Sequence, residues 1–257
     1  MSFALITGAS KGIGRAIALE LASRKHNVLL VARSKQLLSD LCANIKKTYG
    51  VECDYLDVDL SDTNAAVRIF DWCSKNKYSL DILVNNAGYG LSGGFESRPI
   101  EEYLDMVNVN VTSVLQLTHL FLPQLKQEKA AYILNVGSSA AYQSVPYLSA
   151  YAAAKSFIVS FSRGLKYELR NSAVSVTVVS PGVTDTEFAT RANVPEKGIK
   201  AAEKVKMKPQ AVAKIAVDSM FSKKAETIVG FITKATTFFV KLLPKKISEQ
   251  TAAKFYQ

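Results

Sequence analysis

The sequence predicts an α/β fold of the doubly wound kind, with seven strands in a mostly parallel sheet and helices on both faces. Three observations predict it. First, short runs rich in Val, Ile and Leu recur at residues 4–7, 28–32, 52–58, 82–85, 132–136, 175–180 and 227–229. Their apolar positions are successive rather than alternating, which describes a strand covered on both faces. Second, amphipathic stretches of helical length separate the runs, as at residues 14–25, 34–49 and 62–77. Each opens near a Gly, Ser or Asp able to cap it. Third, a glycine-rich turn joins the first strand to the first helix, and alternation of this kind builds βαβ units.

Composition narrows the classes further. A length of 257 residues suits one packed domain, expected here to run over residues 1–257. Hydrophobic residues make up 48% and charged residues 21%, as in a soluble globular protein. No apolar run reaches the roughly 18 residues of a membrane-spanning helix. The N-terminus is apolar at once and runs into the glycine turn, so it reads as a strand and not as a signal peptide. Cys42, Cys53 and Cys73 lack the CxxC spacing of redox or zinc sites and read as buried thiols in a reducing, cytoplasmic setting. His26 and His119 have no Ser or Cys signature beside them, and no carboxylates stand at metal-ligand spacing, so no metal is expected.

Charge is unevenly placed. Of the net +10, residues 197–257 hold +9, from 13 lysines against four acids. They take in the later part of a less regular stretch, residues 183–208, expected as a loop of the lid type, and a basic segment at 231–257. The loop carries Arg191, Lys197, Lys200, Lys204, Lys206 and Lys208. Three readings of this quarter stand open: a solvated surface with a tail packed on the domain or a partner subunit, attraction of an acidic substrate such as an acyl thioester on a phosphate-bearing carrier, and peripheral contact with an anionic membrane. Nucleic acid is not expected, since no recognised module accompanies the charge.

The turn Thr7-Gly8-Ala9-Ser10-Lys11-Gly12-Ile13-Gly14 can cradle a pyrophosphate. Glycines let the backbone come close, and the following helix offers unpaired N–H groups and the positive end of its dipole. The second strand ends Val31-Ala32-Arg33-Ser34-Lys35, without the acid that would accept from a ribose 2′-hydroxyl. Arg33 can fork onto a 2′-phosphate and Lys11 can add a second charge, so the expected cofactor is NADP(H).

Tyr151 and Lys155 stand at i, i+4 in an alanine-rich run, hence on one helical face. A free tyrosine has a pKa of about 10. A neighbouring ammonium favours the phenolate, and such a pair can pass a proton to or from a carbonyl oxygen.

Further motifs follow in order. Val58-Asp59-Leu60 closes the third strand, and Asn85-Asn86-Ala87-Gly88 the fourth. Asn108-Val109-Asn110-Val111 comes next, then Ser138, thirteen residues before Tyr151, with Ser139 beside it. Pro181-Gly182-Val183 ends the sixth strand, with Thr186 just beyond. Over about residues 2–230 this set resembles the short-chain dehydrogenase/reductase family, in its compact single-domain branch. The resemblance implies a Rossmann-type fold and an oxidoreductase that moves a hydride between nicotinamide and a small-molecule carbonyl/alcohol pair. It implies Tyr151 as general acid/base, Ser138 on the substrate oxygen, Lys155 on the ribose hydroxyls and lowering the Tyr151 pKa, and Asn110 holding a relay water. Spacing favours Ser138 over Ser139. It places the cofactor on Gly8, Ser10, Lys11, Gly12, Ile13, Gly14, Arg33, Asp59, Leu60, Asn86, Ala87, Gly88, Tyr151, Lys155, Pro181, Gly182, Val183 and Thr186. Asp59 would hold the adenine amino group and Thr186 the carboxamide. It also implies a homodimer or homotetramer paired through helices near 101–127 and 150–171. Two alternatives remain: a non-catalytic NADP(H) sensor or scaffold, and an epimerase or dehydratase of the larger branch.

Overall fold

The computed structural model describes residues 2–203 and 205–256; Lys204 and the two terminal residues lie outside the described residues, as do the side chains of Ala202 and Lys241. Seven strands form one sheet: β1 (Ser2–Thr7), β2 (Asn27–Ala32), β3 (Cys53–Asp57), β4 (Ser79–Asn85), β5 (Ala131–Val136), β6 (Val174–Pro181) and β7 (Glu226–Val229). Their order is β3-β2-β1-β4-β5-β6-β7, with every neighbouring pair parallel. The direction of winding reverses between β1 and β4. The crevice beyond the carboxyl ends of these two strands is where such sheets bind ligands.

Unbroken apolar runs follow from two-sided covering. Ala4, Ile6, Leu30, Ile82 and Leu134 pack on one face with α1 (Gly12–Ser23), α2 (Lys35–Tyr49) and α9 (Pro209–Phe221). Leu5, Leu29, Leu83 and Ile133 pack on the other with α3 (Ala65–Lys75) and α5 (Ser113–Leu125). Leu5 pairs in register with Leu29 on β2 and Leu83 on β4, and all three are fully buried. Each such side chain contributes about 1.5–3 kcal/mol on leaving water. β4 starts three residues before the expected position 82. Asp81 interrupts the apolar run there, but Ser2 donates to its Oδ2 at 2.8 Å, so the carboxylate is tolerated in the sheet.

α4 (Ile100–Val107) continues through a π-turn, Asn108–Thr112, into α5. α6 (Ser149–Glu168) packs on β6 and carries Tyr151 and Lys155. Residues 183–208 are more ordered than the expected loop. They hold α7 (Phe188–Arg191) and α8 (Glu196–Glu203), and a parallel bridge between Thr184 and Met207 closes the stretch. The basic segment is two helices, α10 (Phe231–Leu242) and α11 (Lys245–Tyr256), of which α11 packs on α8. Among the described residues, no helix is long and apolar enough to cross a membrane.

Candidate active site

The glycine turn lies at the carboxyl end of β1. Gly14 has no room for a side chain, because a Cβ there would collide with Gly8 O and Asn86 Nδ2. This contact folds the turn down onto the fourth strand's motif. The Asn86 amide donates to Thr7 O at 2.9 Å and Gly8 O at 3.3 Å, and Thr7 Oγ1 accepts from the backbone N–H of Asn86 and Ala87. The Asn86 side chain therefore braces the turn, and the residue also lines the cavity described below. α1 opens at Lys11 with no side-chain cap, so its first N–H groups face the crevice with the dipole behind them. A turn stripped of Cβ atoms and an uncapped helix start fit a dinucleotide pyrophosphate.

At the adenosine end, Arg33 and Asp59 stand 3.5 Å apart and both are substantially exposed. Burial opposes ionisation of Asp59, but the Ser61 N–H and Arg33 outweigh it and hold the carboxyl below the usual range. Arg191, from α7, stacks over the Tyr89 ring at 4.7 Å. Burial and the facing Arg33 charge push its pKa down, while Tyr89, Asp59 and Glu187 oppose them. Arg33 and Arg191 thus repel one another at this end of the cleft, with the Asp59 and Glu187 carboxylates near them. Lys11 is not free as the second charge: its Nζ pairs with Glu187 at 2.9 Å, joining the glycine turn to the segment before α7. The Thr186 methyl sits against Gly12 of the same turn.

The catalytic candidates converge at the other end of the cleft. Tyr151 and Lys155 are both nearly fully buried on α6. Ser138 caps the 3-10 turn Ser139–Tyr142, and its Oγ accepts from Ala140 N at 3.2 Å. Of the two adjacent serines, Ser138 is the one whose hydroxyl faces the Tyr151 phenol. Burial pushes the Tyr151 pKa up to about 12, Ser138 opposes the rise and Tyr256 adds to it. Phe188 from α7 covers the ring at 5.2 Å and completes the desolvation. The Lys155 ammonium sits 5.8 Å from the ring centroid and donates to Val136 O at 2.9 Å. Burial brings its own pKa down to about 8.

Asn110 lies in the π-turn, where the i+4 hydrogen-bond ladder is interrupted, and its side chain holds both backbone polar groups of Tyr89: Oδ1 accepts from Tyr89 N at 3.1 Å and Nδ2 donates to Tyr89 O at 2.8 Å. Gly88 makes the approach possible, since a Cβ there would strike Asn110 Oδ1 and stand 3.2 Å from Lys155 Nζ.

One continuous cavity of about 1100 Å³ links these parts. It is lined by the glycine turn, by Ile13, Arg33, Asp59, Leu60, Ala87 and Gly88, by the 138–155 wall, and by Pro181, Gly182, Val183 and Thr186. Gln143 and Val145 line it as well, with Val240, Leu243, Phe255 and Tyr256 of the C-terminal helices closing the far side. Nothing in the local sequence pattern pointed to Glu187, Phe188 or Tyr256 as site residues. The Lys11–Glu187 pair spans 176 positions, and a lone Tyr near the chain's end carries no motif.

The model for short chain dehydrogenases matches residues 2–197. A very-long-chain 3-oxoacyl-CoA reductase from Laccaria bicolor is 37% identical over 177 residues, covering 68% of this chain and 52% of that protein. The chain spans between half and three fifths of the length of the curated relatives it matches at 34% to 37% identity. A structure from a study of 7β-hydroxysteroid dehydrogenase stereoselectivity superposes with a TM-score of 0.88 at 25% identity, covering 98% of this chain and 96% of that one. A short-chain dehydrogenase from Sphingobium yanoikuyae in complex with NADPH follows with a TM-score of 0.82 at 28% identity, covering 95% and 96%. With the parallel seven-stranded sheet, the glycine turn and the Ser138–Tyr151–Lys155 wall in place, this chain belongs to the short-chain dehydrogenase family.

Proposed function

We propose that this protein is an NADPH-dependent reductase of an extended, mostly apolar ketone, with Tyr151 as the proton donor. The observation that carries the reading is the buried Tyr151 on one wall with Ser138 and Lys155, inside the cavity that begins at the glycine turn. The bound cofactor would supply the hydride. The chain's own residues do the rest. Ser138 Oγ and Tyr151 Oη donate to the substrate oxygen, and these donors strengthen as negative charge develops on it. Tyr151 then gives its proton to that oxygen. Burial raises the Tyr151 pKa, so the phenol holds the proton that it would give up in reduction. Lys155 would hold the ribose hydroxyls and, with the π-turn at Asn110, return the proton to Tyr151 from solvent.

Arg33 and Arg191 support a 2′-phosphate at the adenosine end, and hence NADP(H) over NAD(H). The apolar side chains at the far end of the cavity, Val240, Leu243 and Phe255, support an apolar substrate. A 3-oxoacyl chain or a steroid, the substrates in the names of similar proteins, would each fit that description. Attraction of an acidic carrier by the loop is weakened, since Lys200 pairs with Glu196 at 2.7 Å and Lys206 with Asp185 at 3.2 Å. Two copies would pair through α4–α5 and α6, where Leu104, Leu115 and Phe157 are exposed.

NADPH oxidation against a panel of keto-acyl thioesters, steroids, sugars and diketones tests the reading. Tyr151→Phe should abolish turnover of the best substrate and keep NADPH binding by fluorescence titration. Turnover by that variant would remove the proton-transfer role, and NADPH binding without turnover of any carbonyl by the wild type would favour a sensor.

A further inference from the structure

α10 is turned inside out. A helix at the surface of a globular protein normally buries its large apolar residues and exposes its polar ones. Here Thr233 and Thr237 lie on the inward face, with Thr237 only 6% exposed, and Thr233 packs on Gly182. The aromatic residues point outward: Phe231 is 86% exposed, Phe238 61% and Phe239 60%, with Ile232 and Leu242 beside them at 55% and 67%. The same surface continues into the first turn of α11 through Ile247, which is 48% exposed. Isolated exposed apolar residues are ordinary, but a contiguous set on one helix and its following turn is not.

Lysines are interleaved with this face. Residues 231–256 carry five lysines and one acid, Glu249. Lys234, Lys245 and Lys246 are exposed, and among the described residues no ion pair involves them. A second copy of the chain laid on this face would bring like charges together. An anionic lipid surface would take the aromatic residues into its interface and neutralise the lysines. At twelve residues, α10 spans roughly 18 Å, so it can lie in that plane but not cross it. Its other side, through Val240 and then Leu243, walls the cavity described above.

We propose that the outward face of α10 and the turn into α11 dock on an anionic bilayer, setting the mouth of the cavity at the lipid interface. Delivery of an apolar substrate from lipid would rest on the reductase reading. The docking itself does not, and its test needs no turnover.

The experiment is co-sedimentation of the full chain with vesicles of phosphatidylcholine and phosphatidylglycerol in equal parts, against phosphatidylcholine alone. Wild type should sediment with the anionic vesicles, less so with neutral ones, and less as salt is raised. Phe238→Ser/Leu242→Ser should weaken binding on the order of a hundredfold without changing the melting temperature, because both side chains are already in water in the free protein. A second variant, Lys234→Glu/Lys245→Glu/Lys246→Glu, should lose the preference for anionic lipid. Wild type that stays in solution with both vesicles overturns the proposal, as does equal sedimentation of wild type and both variants. So does a fall in oligomer size for the Phe238→Ser/Leu242→Ser variant, by light scattering, with no change on vesicles; that result would assign the face to contact between copies.

Discussion

In the sheet and the helices covering it, large side chains turn inward. Phe121 on α5 is fully enclosed between α3 and the strands, and its ring meets Phe70 edge-on at 5.3 Å. On α10 the same residue type does the reverse, and Phe238 stands 61% exposed. Charge divides along a similar line, with +1 over the first 196 residues and +9 over the remainder. The first region is shaped by burial, and its catalytic wall inherits that property: Tyr151 and Lys155 owe their shifted pKa values to desolvation. The second region carries the exposed lysines and the outward apolar face of α10, and its C-terminal helices line the far side of the cavity that Tyr151 and Lys155 also line.

The sharpest way to break this contrast is a matched pair of truncations. Phe121→Ala should cost about 3–5 kcal/mol, read by denaturant unfolding, because it leaves a cavity in a packed core. Phe238→Ala should fall within about 0.5 kcal/mol of wild type. Similar losses at the two positions would mean that α10 is packed in solution against something else.

Lys155→Met comes next, with an expected loss of turnover of about a hundredfold or more. Stability should move the other way with pH. The Lys155 pKa of about 8 lies below its ordinary 10.5, so between those values the unfolded chain holds a proton that the folded one has lost. Folding stability from this group therefore rises as pH climbs from about 8 to 10.5, and below about 8 the buried ammonium is a cost. The methionine variant should lack that rise when melting curves are compared across the window. A variant that tracks wild type at every pH would show that Lys155 is solvated.

Arg33→Ala probes the adenosine end. NADPH affinity should fall about tenfold or more while NADH affinity changes little, which paired titrations would measure. Equal losses for both cofactors would detach Arg33 from the 2′-position. The smallest effect is expected at the exposed Lys11–Glu187 pair, where Glu187→Gln should change stability by less than about 1 kcal/mol. Its reading is kinetic: NADPH should dissociate faster if the pair helps hold the segment before α7 against the glycine turn.

Much of this was legible in the sequence. Runs such as Val28-Leu29-Leu30-Val31 can only be strands covered on both sides, and the Thr7–Gly14 turn carries its own steric rule, since Gly14 admits no Cβ. Tyr151 and Lys155 share a helix face by spacing alone. Local pattern determined these because neighbours in sequence are neighbours in space along one strand, one turn or one helix. The tertiary structure decided what depended on distant partners. That Asn86 braces Gly8, that Lys11 meets Glu187 and that Lys155 donates to the Val136 carbonyl all turned on contacts between separate elements. So did the direction in which α10 faces: a helix pattern reveals that two faces differ, but only the packed fold determines which of them meets the core.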